Sequence, residues 1–201
     1  MRSCRRLEWK PAAPMLASFG IFTSAAAAFV ARKGVSVREE SCFRSLNSWP
    51  ESLRIPLGAL MQAGNFGSVW IAAGLAREVR RPVAVAGTVA WVGCKLIKPA
   101  VKRGRPAYEL DDVRIRGRAQ SGLGFPSGHA AVAFSLATVI SPGLPRTLRP
   151  LPYLLAVSVA LARVYVGAHL PADIIGGAGV GIAAGALARG SGPPTPHGAG
   201  E

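Results

Sequence analysis

Six apolar runs alternate along the chain with short polar segments in which arginine and lysine predominate. The runs cover residues 11–31, 55–76, 83–98, 127–142, 151–168 and 174–188. The longer ones meet the roughly 20 residues that a helix needs to cross about 30 Å of hydrocarbon. The pattern predicts an all-α, polytopic membrane bundle of about six transmembrane helices, with the domain over residues 1–190. The first run also has the outline of a cleaved signal peptide, since Arg5 and Arg6 precede it and small residues end it. Its length exceeds that of an ordinary signal-peptide core, which favours a retained helix.

The segments between the runs carry further signals. Residues 32–54 are a polar connection, in which 41–53 read as a short interfacial helix with Phe43, Leu46 and Trp49 on its apolar side. A polar loop over 102–125 is long enough to be functional rather than a mere link. In the sixth run Gly177, Gly181 and Gly185 recur every four residues, so one helix face lets a neighbour approach closely. The tail 191–201 is rich in proline and glycine and predicts disorder, with His197 an inert member of it.

Composition narrows the class. The chain has 24 Lys and Arg against 10 Asp and Glu, a net charge of +14. That balance can signal nucleic-acid binding, but the charge stands in short clusters flanking apolar runs, as in membrane loops. No interleaving of aromatic and basic residues offers bases a stacking platform, so nucleic acid is not an expected partner. The partners implied are the bilayer and a membrane lipid; nothing in the sequence sets an oligomeric state. Three unpaired cysteines, Cys4, Cys42 and Cys94, spell neither a disulfide framework nor a zinc site.

Polar residues at the ends of spans need a reason, because charge is costly there. Lys98, His129, Arg163, His169 and Asp173 fall at corresponding ends of spans three to six. Alternating span direction brings all five to one membrane face, joined by Arg105 and Ser127 from the long loop. Three cations there favour an anion, and Arg offers it bidentate contacts. Ser127 and Gly128 stand where a helix begins, with free N–H groups directed outward. Pro99 predicts that the third helix ends or kinks at Lys98, freeing the lysine. Lys95, one turn earlier, reads as a lysine snorkelling to the interface.

The two histidines bring proton chemistry near neutral pH. Asp173, four residues after His169, can fix the tautomer of His169 and leave its other ring nitrogen to attack, giving a phosphohistidine. His129 then protonates the departing oxygen. An iron site of two His and one Asp is the competing reading of the same residues, but three neighbouring cations oppose a metal ion.

The order Lys98…Arg105-Pro106, Phe125-Pro126-Ser127-Gly128-His129 and Arg163…His169…Asp173 resembles the three-part motif of the type 2 phosphatidic acid phosphatase superfamily. The motifs cover residues 98–173. The resemblance implies a helical bundle and hydrolysis of a phosphoester without metal or cofactor. It implies catalytic roles for His129, His169 and Asp173, and phosphate binding by Lys98, Arg105, Ser127, Gly128 and Arg163. The six-run layout is similar to the membrane lipid-phosphatase branch, whose catalytic face is extracytoplasmic. A polyprenyl phosphate or diphosphate is the favoured substrate, with a phosphatidic acid-type glycerolipid next. Vanadate-dependent halide oxidation, on the same anion cradle, and non-catalytic lipid binding are the alternatives. Ala162 departs from the serine that many members carry before the arginine. The Ala, Gly and Arg content suggests a GC-rich bacterial source.

Overall fold

The computed structural model describes residues 12–75 and 77–190 of the chain, whose regular elements are helices, with no strand among them. The tail 191–201, with His197, and the residues before Ala12 lie outside the described part. Among the described residues nine α-helices follow in order: α1 (Ala12–Arg32), α2 (Val37–Asn47), α3 (Arg54–Met61), α4 (Phe66–Leu75), α5 (Arg80–Val101), α6 (Pro106–Glu109), α7 (Gly128–Ile140), α8 (Leu151–Tyr165) and α9 (Pro171–Gly190). Four helical segments are long and apolar enough to cross a membrane, those built on α1, α5, α8 and α9. Their outer faces expose large apolar side chains such as Phe19, Phe22, Leu96, Leu154 and Ile175. In water that exterior would drive aggregation; in lipid it is solvated.

The remaining two runs are not single long helices. The second is divided into α3, a 3-10 turn at Gln62–Gly64, and α4. Asn65 is extended there (φ −71°, ψ 151°), and the Ser68 hydroxyl donates to the carbonyls of Ala63 and Asn65. The fourth run forms the 13-residue α7, about 20 Å long at 1.5 Å per residue. It stops short of a full span where the chain passes into a 3-10 turn at Ser141–Gly143 that contains Pro142, and nine of its residues are buried between α5, α8 and α9.

α9 is the axis of the bundle, packed on α1, α5 and α7. Its glycine stripe is what allows this. A methyl group at Gly177, Gly181 or Gly185 would run into Ser127, Ala131 or Thr138 of the α7 strip, so only glycine admits that approach. On the opposite side Gly179 meets Gly20 of α1, backbone against backbone.

Two local expectations change. Pro99 does not end α5, which runs on to Val101 and stops where Lys102 turns left-handed at φ +56°. Pro99 removes one N–H and so one ladder bond, yet two further residues stay helical. The polar connection 32–54 begins its helix earlier than expected, at Val37, with the Ser36 hydroxyl accepting the Glu39 N–H. Phe43 faces the protein, packed with Val164 and Leu170. Lys95 sits 3.8 Å over the Trp91 ring, a cation–π contact at the helix flank.

Candidate active site

The loop that carries His169 is shaped by the end of α8. Gly167 adopts φ +76°, a conformation that side chains rarely tolerate, and a Cβ there would lie 2.7 Å from the Arg114 carbonyl. The turn folds back so that the N–H groups of Ala168 and His169 both donate to the Arg163 carbonyl, at 3.0 and 3.2 Å. Arg163 and His169 are thereby held in fixed relation by backbone alone.

Asp173 stands in the first turn of α9, fully buried. Its Oδ2 accepts the Leu170 N–H at 2.9 Å and lies 3.4 Å from His169 Nδ1. Its Oδ1 accepts from Arg103 Nη1 at 3.3 Å. Nδ1 is thus the ring nitrogen of His169 directed at the carboxylate. Burial pushes the pKa of His169 well below its ordinary value, and the charges of Arg163, Arg105 and Lys98 add to that push. A hydrogen bond to the Gly124 carbonyl opposes it. The ring is therefore neutral near pH 7, the form that can act as a nucleophile.

The cations approach from three elements. Lys98 at the end of α5 donates from Nζ to the carbonyls of Leu123 (2.7 Å) and Gly124 (3.1 Å), which ties the long loop over the site. Arg105 precedes α6 and donates to Ser121 (3.1 Å) and Ala168 (2.9 Å). Arg163 is 6% exposed, and its Nη1 reaches the Met61 sulfur at 3.5 Å; among the described residues it has no carboxylate, and its buried Nε has no hydrogen-bond partner. A buried guanidinium left in this state is costly unless an anion completes it.

α7 brings an open helix start and the second histidine. Ser127 caps the helix: its hydroxyl accepts the Ala130 N–H at 3.5 Å, and its own N–H donates to the Asp173 carbonyl at 2.9 Å. A Cβ at Gly128 would meet nothing within 4 Å, so open space faces the start of the helix. The half-buried His129 is within electrostatic range of Arg163, His169 and Arg105. All eight residues picked out in the sequence thus converge from five elements.

Two residues of this site are not legible in the sequence. Arg103 and Glu39 form a buried pair at 3.0 and 2.6 Å, and Glu39 Oε1 also accepts the Ala172 N–H at 2.8 Å. Arg103 stands inside the first motif segment, and its burial was the missing signal. Glu39, 64 positions away, carries no signal of its own in a charged stretch. Among the described residues no group of three His, Cys, Asp or Glu side chains forms a metal-ion set.

A membrane helical bundle with two histidines and a cationic cradle at one end defines a class of phosphoester-handling membrane proteins. The chain belongs to the PAP2 superfamily, whose sequence model matches residues 81–192, more than half of its length. The decaprenylphosphoryl-5-phosphoribose phosphatase of Mycobacterium tuberculosis is 35% identical over 111 residues, covering 54% of this chain and 60% of that protein. The chain thus spans less than two thirds of that relative's length. The crystal structure of LpxE from Aquifex aeolicus superposes with a TM-score of 0.66 at 27% identity, covering 74% of this chain and 93% of that one. A transmembrane phosphatidylglycerolphosphate phosphatase from Bacillus subtilis gives 0.63 at 21% identity over 90% and 95%, a likeness of fold.

Proposed function

We propose that the chain hydrolyses a lipid phosphate or diphosphate at this site, without metal, through a phosphohistidine. The observation that carries the reading is Arg163: a buried cation with an unpaired Nε, set beside two histidines. A phosphoryl group supplies the missing partner and accepts forked donors from Arg163 and Arg105. Lys98, Ser127 and the first N–H groups of α7 complete the cradle.

In the first step His169 Nε2 bonds to phosphorus and the bond from phosphorus to the leaving oxygen breaks. That oxygen takes a proton from His129, whose charged form is favoured by the negative charge of the bound phosphate, and Asp173 holds the imidazolium proton on Nδ1. In the second step a water oxygen bonds to phosphorus, its proton passes to His129, and the P–N bond breaks. Inorganic phosphate leaves and both histidines return to their starting forms.

A polyprenyl phosphate or diphosphate is the favoured substrate, and the decaprenyl compound in the name of the Mycobacterium tuberculosis relative supports it. A glycerolipid phosphate is next. The catalytic end is assigned to the extracytoplasmic face of the cell membrane, with the basic residues of the long loop serving the substrate rather than marking the cytoplasmic side. Phosphate release from a panel of lipid phosphates, by purified protein in detergent with EDTA and beside His169→Ala, tests the reading. Release that survives EDTA and disappears in His169→Ala is expected. Abolition by EDTA overturns the metal-free mechanism, and full activity of His169→Ala overturns the nucleophile. A cysteine introduced in the 102–125 loop is expected to be labelled from outside; labelling only from the cytoplasm overturns the orientation.

A further inference from the structure

An apolar groove of about 410 Å³ runs between α4, α7 and α8. Four α7 residues line it: Ala133, Leu136, Ala137 and Ile140. Counted from His129 they fall at +4, +7, +8 and +11, which is one helical face. The face of α7 that carries His129 is therefore the face that forms the groove wall.

The near end of the groove is the 3-10 turn that divides the second apolar run. Gly64 of that turn lies so close to His129 that a Cβ on it would sit 2.9 Å from the His129 carbonyl oxygen. Met61, which leads into the turn, touches Arg163. The groove wall at Gln62 and Ala63 thus adjoins, through the flanking Gly64 and Met61, the second histidine and the Arg163 guanidinium. Its far end, at Ile140, is about 17 Å along α7 at 1.5 Å per residue. Small residues on three helices keep it open, and its outer rim is formed by Ile71, Leu75 and Leu155, all exposed to the lipid side.

We infer that the groove between α4, α7 and α8 holds the hydrocarbon chain of the leaving alcohol. The inference rests on the phosphatase reading above and adds the direction in which the substrate lies. The group that protonates the leaving oxygen stands on the leaving side of phosphorus, opposite the nucleophile. Whatever is bonded to that oxygen must depart past His129. On that side the structure offers an apolar channel open to lipid, so the chain stays in hydrocarbon while its phosphate enters the cationic cradle. A second apolar groove, between α1, α5 and α9, does not include the His129 face of α7.

The test compares geranylgeranyl phosphate with isopentenyl phosphate as substrates of the full chain in detergent. Ala72→Phe, which fills the groove from α4, is expected to raise KM for the long substrate about tenfold, the worth of roughly two buried methylenes. Its kcat, and kcat/KM for the short substrate, stay unchanged. Leu155→Ala removes wall from an exposed position and is expected to raise the long-chain KM about threefold. It carries the test should Ala72→Phe fail to fold, which loss of short-chain activity would report. Ala25→Phe in the other groove leaves both substrates unaffected. An unchanged long-chain KM in Leu155→Ala and in folded Ala72→Phe, or a rise in Ala25→Phe, overturns the assignment. If the wild-type protein hydrolyses neither probe, it is the phosphatase reading that fails instead.

Discussion

Arg103 and Glu39 meet as a two-pronged ion pair, Nη1 to Oε1 at 3.0 Å and Nη2 to Oε2 at 2.6 Å, with both side chains buried. The pair ties α2 to the chain just beyond α5. Through Arg103 Nη1 it reaches Asp173, and through Glu39 Oε1 it reaches the first turn of α9. The carboxylate that orients His169 is therefore itself oriented from α2.

Breaking the pair leaves a buried charge without its main partner. Glu39→Ala is expected to cost about 3–5 kcal/mol, read as a lowered Tm in detergent. Replacing both residues with apolar ones of similar volume is expected to recover part of that loss. A double-mutant cycle with no coupling between positions 39 and 103 would contradict the geometry.

Removing His129, the proposed proton donor, is expected to affect substrates unequally. His129→Ala is expected to slow hydrolysis of an alkyl phosphate by about 10²- to 10⁴-fold. p-Nitrophenyl phosphate, whose leaving group departs without a proton, loses far less in the first step. Radiolabelled phosphate should then accumulate on His169 and be absent in the His129→Ala, His169→Ala double variant. Equal losses on both substrates in the first step, the transfer of phosphate to His169, would remove His129 from the role of acid.

The burial of His169 makes stability depend on pH. Its folded pKa lies well below the ordinary 6.5, so below pH 6.5 the unfolded chain takes up a proton that the folded chain refuses. Stability is retained above that pH and lost as pH falls toward the folded value. The Tm of the wild-type protein is expected to fall between pH 6.5 and 5 more steeply than that of His169→Ala. Parallel curves would show that the ring titrates alike in both states.

The glycine stripe of α9 predicts a packing defect. Gly181→Ala places a methyl against the Ala131 carbonyl and Phe134 of α7, at an expected cost of about 1–3 kcal/mol. Gly190, where an added methyl would meet nothing within 4 Å, is the matched control. A lower Tm for Gly181→Ala and an unchanged one for Gly190→Ala would be the expected pair of results.

By itself the sequence determined the membrane class and the residues gathered at one end. Each of these is local or periodic: apolar runs long enough to span, a glycine every four residues, His and Asp one helical turn apart. Span counting brought Lys98, His129, Arg163, His169 and Asp173 to one face, because alternating helices leave their ends little choice, and Arg105 joined them from the long loop. Only the tertiary structure decided what surrounds them. Gly64 of the turn that divides the second run packs against His129, and α7 is enclosed by α5, α8 and α9. The helix continues past Pro99 although its local signal says stop. Glu39 finds Arg103 across 64 residues, and a contact between positions so distant leaves no period in the chain to read.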